Sequence, residues 1–119
     1  MVNGKQKGKR GELEIAELMR GYGYPEARRS AQYCGKAGDA DVVGVDGLHI
    51  EVKFREQVSD EKFLQQAEGD ARKGDLPLVL YRRSREKWKA LLRLDVFMML
   101  WGELSDSQKR NIHEKIKFM

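Results

Sequence analysis

The chain has one cysteine, Cys34, which excludes an internal disulfide and leaves no thiolate cluster for zinc. It has no apolar run near the roughly 20 residues that cross a bilayer. The first ten residues, MVNGKQKGKR, are basic, but no apolar segment stands behind them, so a secretory signal is not expected. Internal repeats are absent, as is low complexity beyond that leader. A reducing, cytoplasmic setting follows, with no membrane partner and no organic cofactor. What the chain has in quantity is charge: 35% of its 119 residues are charged and the net charge is +4. That length holds one domain with a real core, and the balance suits a polyanionic partner.

The most informative stretch is residues 38–55, GDADVVGVDGLHIEVKFR. Two β-branched runs flank an Asp46-Gly47 turn, and strand side chains alternate between faces. Leu48, Ile50, Val52 and Phe54 therefore point into a core, and His49, Glu51 and Lys53 point the other way. With a three-residue loop, Val45-Asp46-Gly47, Gly44 pairs with Leu48 and Asp41 stands opposite Glu51. Such a loop needs a positive φ at Gly47. It sorts Asp41, Glu51 and Lys53 onto one face and Ala40, Val42, Ile50 and Val52 onto the other.

Upstream, a helix is expected over residues 9–22, with Ile15, Leu18, Met19 and Tyr22 as its buried stripe. Glu12 falls beside that stripe, whereas Glu14 and Glu17 fall toward the opposite face. Residues 1–8 read as a mobile basic arm. Residues 24–30 form an irregular first strand, and residues 32–38 a glycine-rich loop. Downstream, Ser59 or Asp60 caps a second helix to residue 73, with Phe63, Leu64, Ala67 and Ala71 inward. Strands follow at 76–81 and 88–94. Asp95 caps an apolar helix, VFMMLW, read as core or as a homodimer seam. A last amphipathic helix covers residues 105–117. Helix, three strands, helix, two strands and helices make an α/β fold: a mixed central sheet flanked by helices, with extra C-terminal helices at 95–119.

Three carboxylates, Glu12, Asp41 and Glu51, are thus aimed inward beside Lys53. Hard oxygen donors of this kind suit Mg²⁺, with Mn²⁺ as a substitute. Such an ion polarises a phosphoryl oxygen and lowers the pKa of a bound water, and a lysine orients that water or takes its proton. The same residues also suit plain cross-strand ion pairs, worth at most about 1 kcal/mol each.

Lys7-Gly8 with Glu12 four residues on, then Ala40-Asp41-Val42-Val43, then Glu51-Val52-Lys53, resemble the PD-(D/E)XK nuclease superfamily. Within it the likeness is to the archaeal-type Holliday-junction resolvases, from Lys7 to about Leu94. The resemblance implies a restriction-endonuclease-like fold and a Mg²⁺-dependent endodeoxyribonuclease, most like a resolvase of four-way junctions. The alternatives are a related nuclease acting on duplex, flap or replication intermediates, and a binding module without catalysis. Carried over, Asp41 and Glu51 bind metal with the Val52 carbonyl, Glu12 assists, and Lys53 is the catalytic lysine. Ala40 stands where the family has its proline. Ser30 lies where resolvases carry a functional serine.

For DNA contacts the candidates are Lys5, Lys7, Lys9 and Arg10 around the first helix, and Arg28, Arg29 and Lys36 leading into Asp41; such contacts give affinity and register. Residues 72–73, 82–83 and 85–89 read as ordinary basic surface. Gln65 and Gln66 read as polar flank, and His49 and His113 as surface histidines. A two-fold junction suits a homodimer.

Overall fold

Strand β3 (Leu48–Phe54) occupies the middle of the molecule, and the other elements are arranged about it. The computed structural model describes residues 4–30 and 40–119. In chain order the elements are α1 (Gly4–Gly21), β1 (Arg28–Arg29), β2 (Val42–Val43), β3, α2 (Asp60–Asp70), β4 (Leu76–Arg82), β5 (Lys89–Leu91), α3 (Leu94–Gly102) and α4 (Asp106–Ile116). The strands form one sheet in the order β1-β2-β3-β4-β5. β3 and β4 run parallel because α2 carries the chain back between them; the other neighbours are antiparallel. This is the mixed sheet with flanking helices that the order of elements predicts.

The two-residue alternation along β3 divides the core in two. On one side Ile50 and Val52 pack with Val42, Leu80 and the α1 residues Ile15 and Ala16. On the other, Val79 of β4 packs with Phe63, Leu64 and Ala67 of α2. Burying each of the larger aliphatic side chains stabilises the fold by about 1.5–3 kcal/mol. Because both faces of the sheet are covered, His49, Glu51 and Lys53 are enclosed as well.

The hairpin has the expected register. Val42 pairs with Ile50, which sets Asp41 opposite Glu51. The loop closes with the Leu48 N–H donating to the Val45 carbonyl at 3.2 Å, and Gly47 has φ +85°. Gly44 adds a constraint that was not anticipated. Its φ is +93°, and a Cβ there would collide with the Glu26 carbonyl oxygen, so the turn is pressed against the chain entering β1.

Several boundaries differ from expectation. α1 starts at Gly4 rather than residue 9, so Lys5 and Lys7 lie on a helix instead of a mobile arm; residues 1–3 lie outside the described part. The first turns are fastened by Lys7, whose ammonium is 2.6 Å from Glu56 and 4.6 Å from the centre of the Phe54 ring. The buried stripe of α1 is Gly11, Glu12, Ile15 and Ala16, and Leu18 and Tyr22 are exposed. Small residues at 11 and 16 let the helix lie close to the sheet on that face. Glu14 is turned toward the body as well, accepting from Arg82 and from the Trp88 indole N–H. Arg82 is accordingly buried over the Phe54 ring, not ordinary surface.

α2 stops at Asp70, with Ala71 as its C-cap, and β5 is only three residues long. Arg93, not Asp95, is the N-cap of α3. The VFMMLW segment is not core: no residue of α3 or α4 is buried. α4 opens with a capping box, in which Ser105 and Gln108 each bond the other's backbone N–H. Among the described residues no helix is long and apolar enough to cross a membrane.

Candidate active site

β2 is two residues long, so the backbone ladder beside β3 ends at Asp41. The Asp41 N–H still donates to the Ile50 carbonyl at 2.9 Å. The next donor along β3, the Val52 N–H, finds the Asp41 carboxylate instead, at 2.8 Å from Oδ2. One acid thus completes the sheet edge and is fixed by it. Beside it lies an opening of about 480 Å³, lined by Glu12, Asp41, Val52 and Lys53 together with Lys7, Phe54 and Glu56 among others.

Glu51 lies directly behind Asp41 and is only 2% exposed. Burial first, then the charge of Asp41 and a hydrogen bond between the two carboxyls, together push its pKa up to about 8 against the pull of Lys53. Glu51 Oε1 is also 2.8 Å from His49 Nε2. His49 is buried, with its pKa lowered chiefly by that burial. The reading of His49 as a surface residue is therefore corrected. Lys53 is held from the α2 side, its ammonium 2.8 Å from Gln66 Oε1 and 5.4 Å from the centre of the Phe63 ring. Gln66 is therefore no mere polar flank, whereas Gln65 bonds Glu61 on its own helix.

Glu12 reaches the opening from α1. It is 8% exposed, and Arg29 donates to its Oε1 at 2.9 Å. Burial raises its pKa, opposed by the Arg29 hydrogen bond. Among the described residues, no three acids, histidines or cysteines are gathered tightly enough to hold a cation. The expected meeting of three acids at one point is therefore realised in part. Asp41 and Glu51 touch, while Glu12 shares the opening with Asp41 and is tied to Arg29.

The basic candidates have distinct surroundings. A second groove of about 460 Å³ is lined by Lys5, Lys9, Gly4, Gly8, Glu12 and Arg29, and it meets the first at Gly4, Gly8 and Glu12. Lys7 is spoken for by Glu56 and Ser84, Arg10 pairs with Glu14, and Arg28 donates to the Glu26 carbonyl. Lys36 and Cys34 lie outside the described residues. Ser30 donates its backbone N–H to the Asp41 carbonyl at 3.0 Å, which places it next to the site. His113 is on the surface, as expected.

His49 and Gln66 read more readily as polar surface than as contacts of Glu51 and Lys53, although the signals for those contacts were present. His49 shares a strand face with Glu51 by the two-residue period. Gln66 lies three positions after Phe63, on the helical face that turns toward the sheet.

A family model described as "Phage putative PDDEXK endonuclease" matches residues 3–118. The chain belongs to that family. Its match runs through α3 and α4. The fold is also similar to that of a Holliday junction resolvase from the hyperthermophilic archaeon Archaeoglobus fulgidus. The TM-score is 0.54 and the identity 26%, over 69% of this chain and 72% of that one. No curated protein matches. PD-(D/E)XK nucleases use divalent metals, and the donor chemistry here fits one. Two touching carboxyls cannot both ionise cheaply in a buried place unless a cation lies between or beside them.

Proposed function

We propose that this endonuclease is a Mg²⁺-dependent resolvase of branched DNA, hydrolysing phosphodiester bonds at four-way junctions, with Mn²⁺ as a working substitute. The observation that carries the reading is the contact of the Asp41 and Glu51 carboxyls beside an opening that also receives Lys53 and Glu12. The 26% identity to an archaeal junction resolvase supports the choice of substrate.

In this reading Asp41, Glu51 and the Val52 carbonyl hold the metal, and Glu12 assists from α1. A divalent ion bound there polarises a phosphoryl oxygen and lowers the pKa of a coordinated water. Asp41 is pre-set for its part because the Val52 N–H already fixes one of its oxygens. Lys53, steadied by Gln66, orients the attacking water with its ammonium and balances phosphate charge. The groove along α1 carries the DNA backbone, with Lys5 and Lys9 as phosphate contacts and Arg29 in its lining, and Arg10, Arg28 and Lys36 are further candidates for phosphate contact. Lys7 fastens α1 rather than reaching outward. The active form is a homodimer, and exposed apolar side chains of α3 such as Phe97, Met98 and Met99 form its seam. The enzyme works in the cytoplasm of a bacterial, archaeal or phage-infected cell.

The test is a panel of labelled four-way junction, flap and linear duplex incubated with Mg²⁺. Symmetric nicks on the junction are expected. Asp41→Asn and Lys53→Ala are expected to abolish cleavage by a factor of about 10³ or more while binding persists. Equal cutting of flap or duplex would move the substrate to another member of the superfamily's range. Binding without cleavage at any divalent ion would reduce the protein to a DNA-binding module.

A further inference from the structure

The role of Glu51 leaves one buried polar neighbour without a function. His49 is 3% exposed, two residues before Glu51 on the same side of β3, under the face covered by α2. An aliphatic residue would be the ordinary occupant there, because burying an imidazole costs about 1–3 kcal/mol unless a hydrogen bond offsets it. The bond it makes is to Glu51 Oε1, at 2.8 Å. Side chains two apart on a strand stand parallel, roughly 6.5–7 Å between their origins, so the imidazole reaches along the strand and abuts the carboxyl from the interior.

We infer that His49 is a positioning residue for the endonuclease: its Nε2, bonded to Glu51 Oε1, holds the Glu51 carboxyl against Asp41 and so completes the oxygen pair that receives the divalent ion. The inference rests on the reading of Asp41 and Glu51 as metal donors. Four buried or half-buried groups at the site then each have a dedicated anchor: the Val52 N–H for Asp41, His49 for Glu51, Arg29 for Glu12 and Gln66 for Lys53. Three of those anchors stand on neighbouring structure that the core already fixes. Glu51 alone is anchored by a side chain of its own strand, and its other contact, the Asp41 carboxyl, repels it once both are ionised. When Glu51 is ionised and engaged with a cation, the Nε2–H donates to Oε1 and opposes rotation of the carboxyl. Without that donor, Glu51 has a buried oxygen lacking a partner and a free torsion about its last bond.

The amide nitrogen of glutamine reaches about as far as Nε2, whereas that of asparagine stops near the position of Nδ1. His49→Gln and His49→Asn therefore differ in reach but not in polarity, and His49→Leu removes the bond altogether. Each is compared with wild type and Asp41→Asn in three ways: Mn²⁺ affinity of the DNA-free protein by calorimetry, the Mn²⁺ concentration for half-maximal junction cleavage, and the melting temperature. His49→Asn and His49→Leu are expected to weaken Mn²⁺ binding by about 10- to 100-fold, with His49→Gln within about threefold of wild type. The half-saturation for cleavage should move in parallel, and saturating Mn²⁺ should restore most of the rate. If His49→Leu does not fold, the comparison of glutamine with asparagine decides. A lower melting temperature with unchanged Mn²⁺ affinity in His49→Asn overturns the inference, because His49 is then only a packing element. Equal weakening in glutamine and asparagine also overturns it. If wild type itself binds no Mn²⁺ and matches Asp41→Asn, the metal reading and this inference fall together; if wild type binds and Asp41→Asn does not, only the His49 result is at stake.

Discussion

The seven residues of β3 include a histidine, a glutamate and a lysine, and six of the seven are buried; the nine residues of α3 include Phe97, Met98, Met99 and Leu100, and none is buried. Composition alone would reverse that order. Position explains it. β3 is bounded by strands on both sides and by α1 and α2 above and below, so whatever it carries is taken out of water. α3 follows the edge strand β5 and packs no face on the sheet, joined to the body at its start by Arg93, which forks onto Glu61 and Glu68 of α2. The polar groups of β3 therefore had to find partners, and among the described residues no buried side-chain nitrogen or oxygen lacks one. Apolar groups of α3 had no such constraint and meet each other, as in the Phe97–Trp101 stack, or are left for a second surface.

The difference can be attacked from both ends. The largest effect is expected at Gly44, where the turn feeding β3 has no room for a Cβ and a positive φ. Gly44→Ala should cost about 3 kcal/mol or more in chemical denaturation and lower soluble yield. A smaller loss would mean that the turn relaxes and that the register of Asp41 with Glu51 is less rigid than the core implies.

Next comes Glu51→Gln. The Glu51 pKa is raised from 4.5 to about 8 in the folded chain, so the native state keeps a proton that the unfolded state has lost. Its contribution to metal-free stability is full below about pH 4.5 and declines until the pH passes about 8. In chelator, Glu51→Gln should flatten that slope and melt higher than wild type near pH 8, while cleavage falls by about 10²-fold or more. An unchanged slope would show that Glu51 is solvated and that its enclosure in β3 is overstated.

At the other end, Ser105→Ala removes the capping box of α4 and should cost that helix about 1 kcal/mol. The loss should appear as faster amide exchange in α4 alone, because nothing there supports the body. The smallest effect is expected for Met99→Gln, within about 0.5 kcal/mol of wild type in the unfolding of the sheet. The same substitution should weaken self-association in sedimentation. A clear loss of sheet stability would put α3 back in the core and erase the contrast.

Much of the site was legible because a strand has a period of exact length two. Once residues 48–54 read as a strand, Glu51 and Lys53 had to share a face, and the three-residue loop had to bring Asp41 opposite Glu51. Glu12 was legible by the same logic on a helix. Less legible was anything that depends on which neighbour arrives. That Arg29 would pair with Glu12 became visible only once β1 set the two side by side. Arg82 looked like surface until α1 brought Glu14 to it. His49 was judged by type, as a hairpin histidine, and type says little where both faces of a sheet are covered. The core reading of the apolar run 96–101 failed for the same reason, since hydrophobicity marks what would gain from burial and not whether a partner is there.

The amino-acid order by itself determined the element sequence, the register of the hairpin and the acids and amine that face one another across it, because these follow from local periodicity and from one glycine's freedom at a turn. Only the packed structure decided which of them are anchored and by what. The Val52 N–H on Asp41, Gln66 on Lys53 and Arg29 on Glu12 are contacts set by the register of separate elements, and the bond of His49 to Glu51 within β3 is enclosed only because α2 covers that face. Burial then fixes their strength, since taking charges out of water makes each remaining partner count.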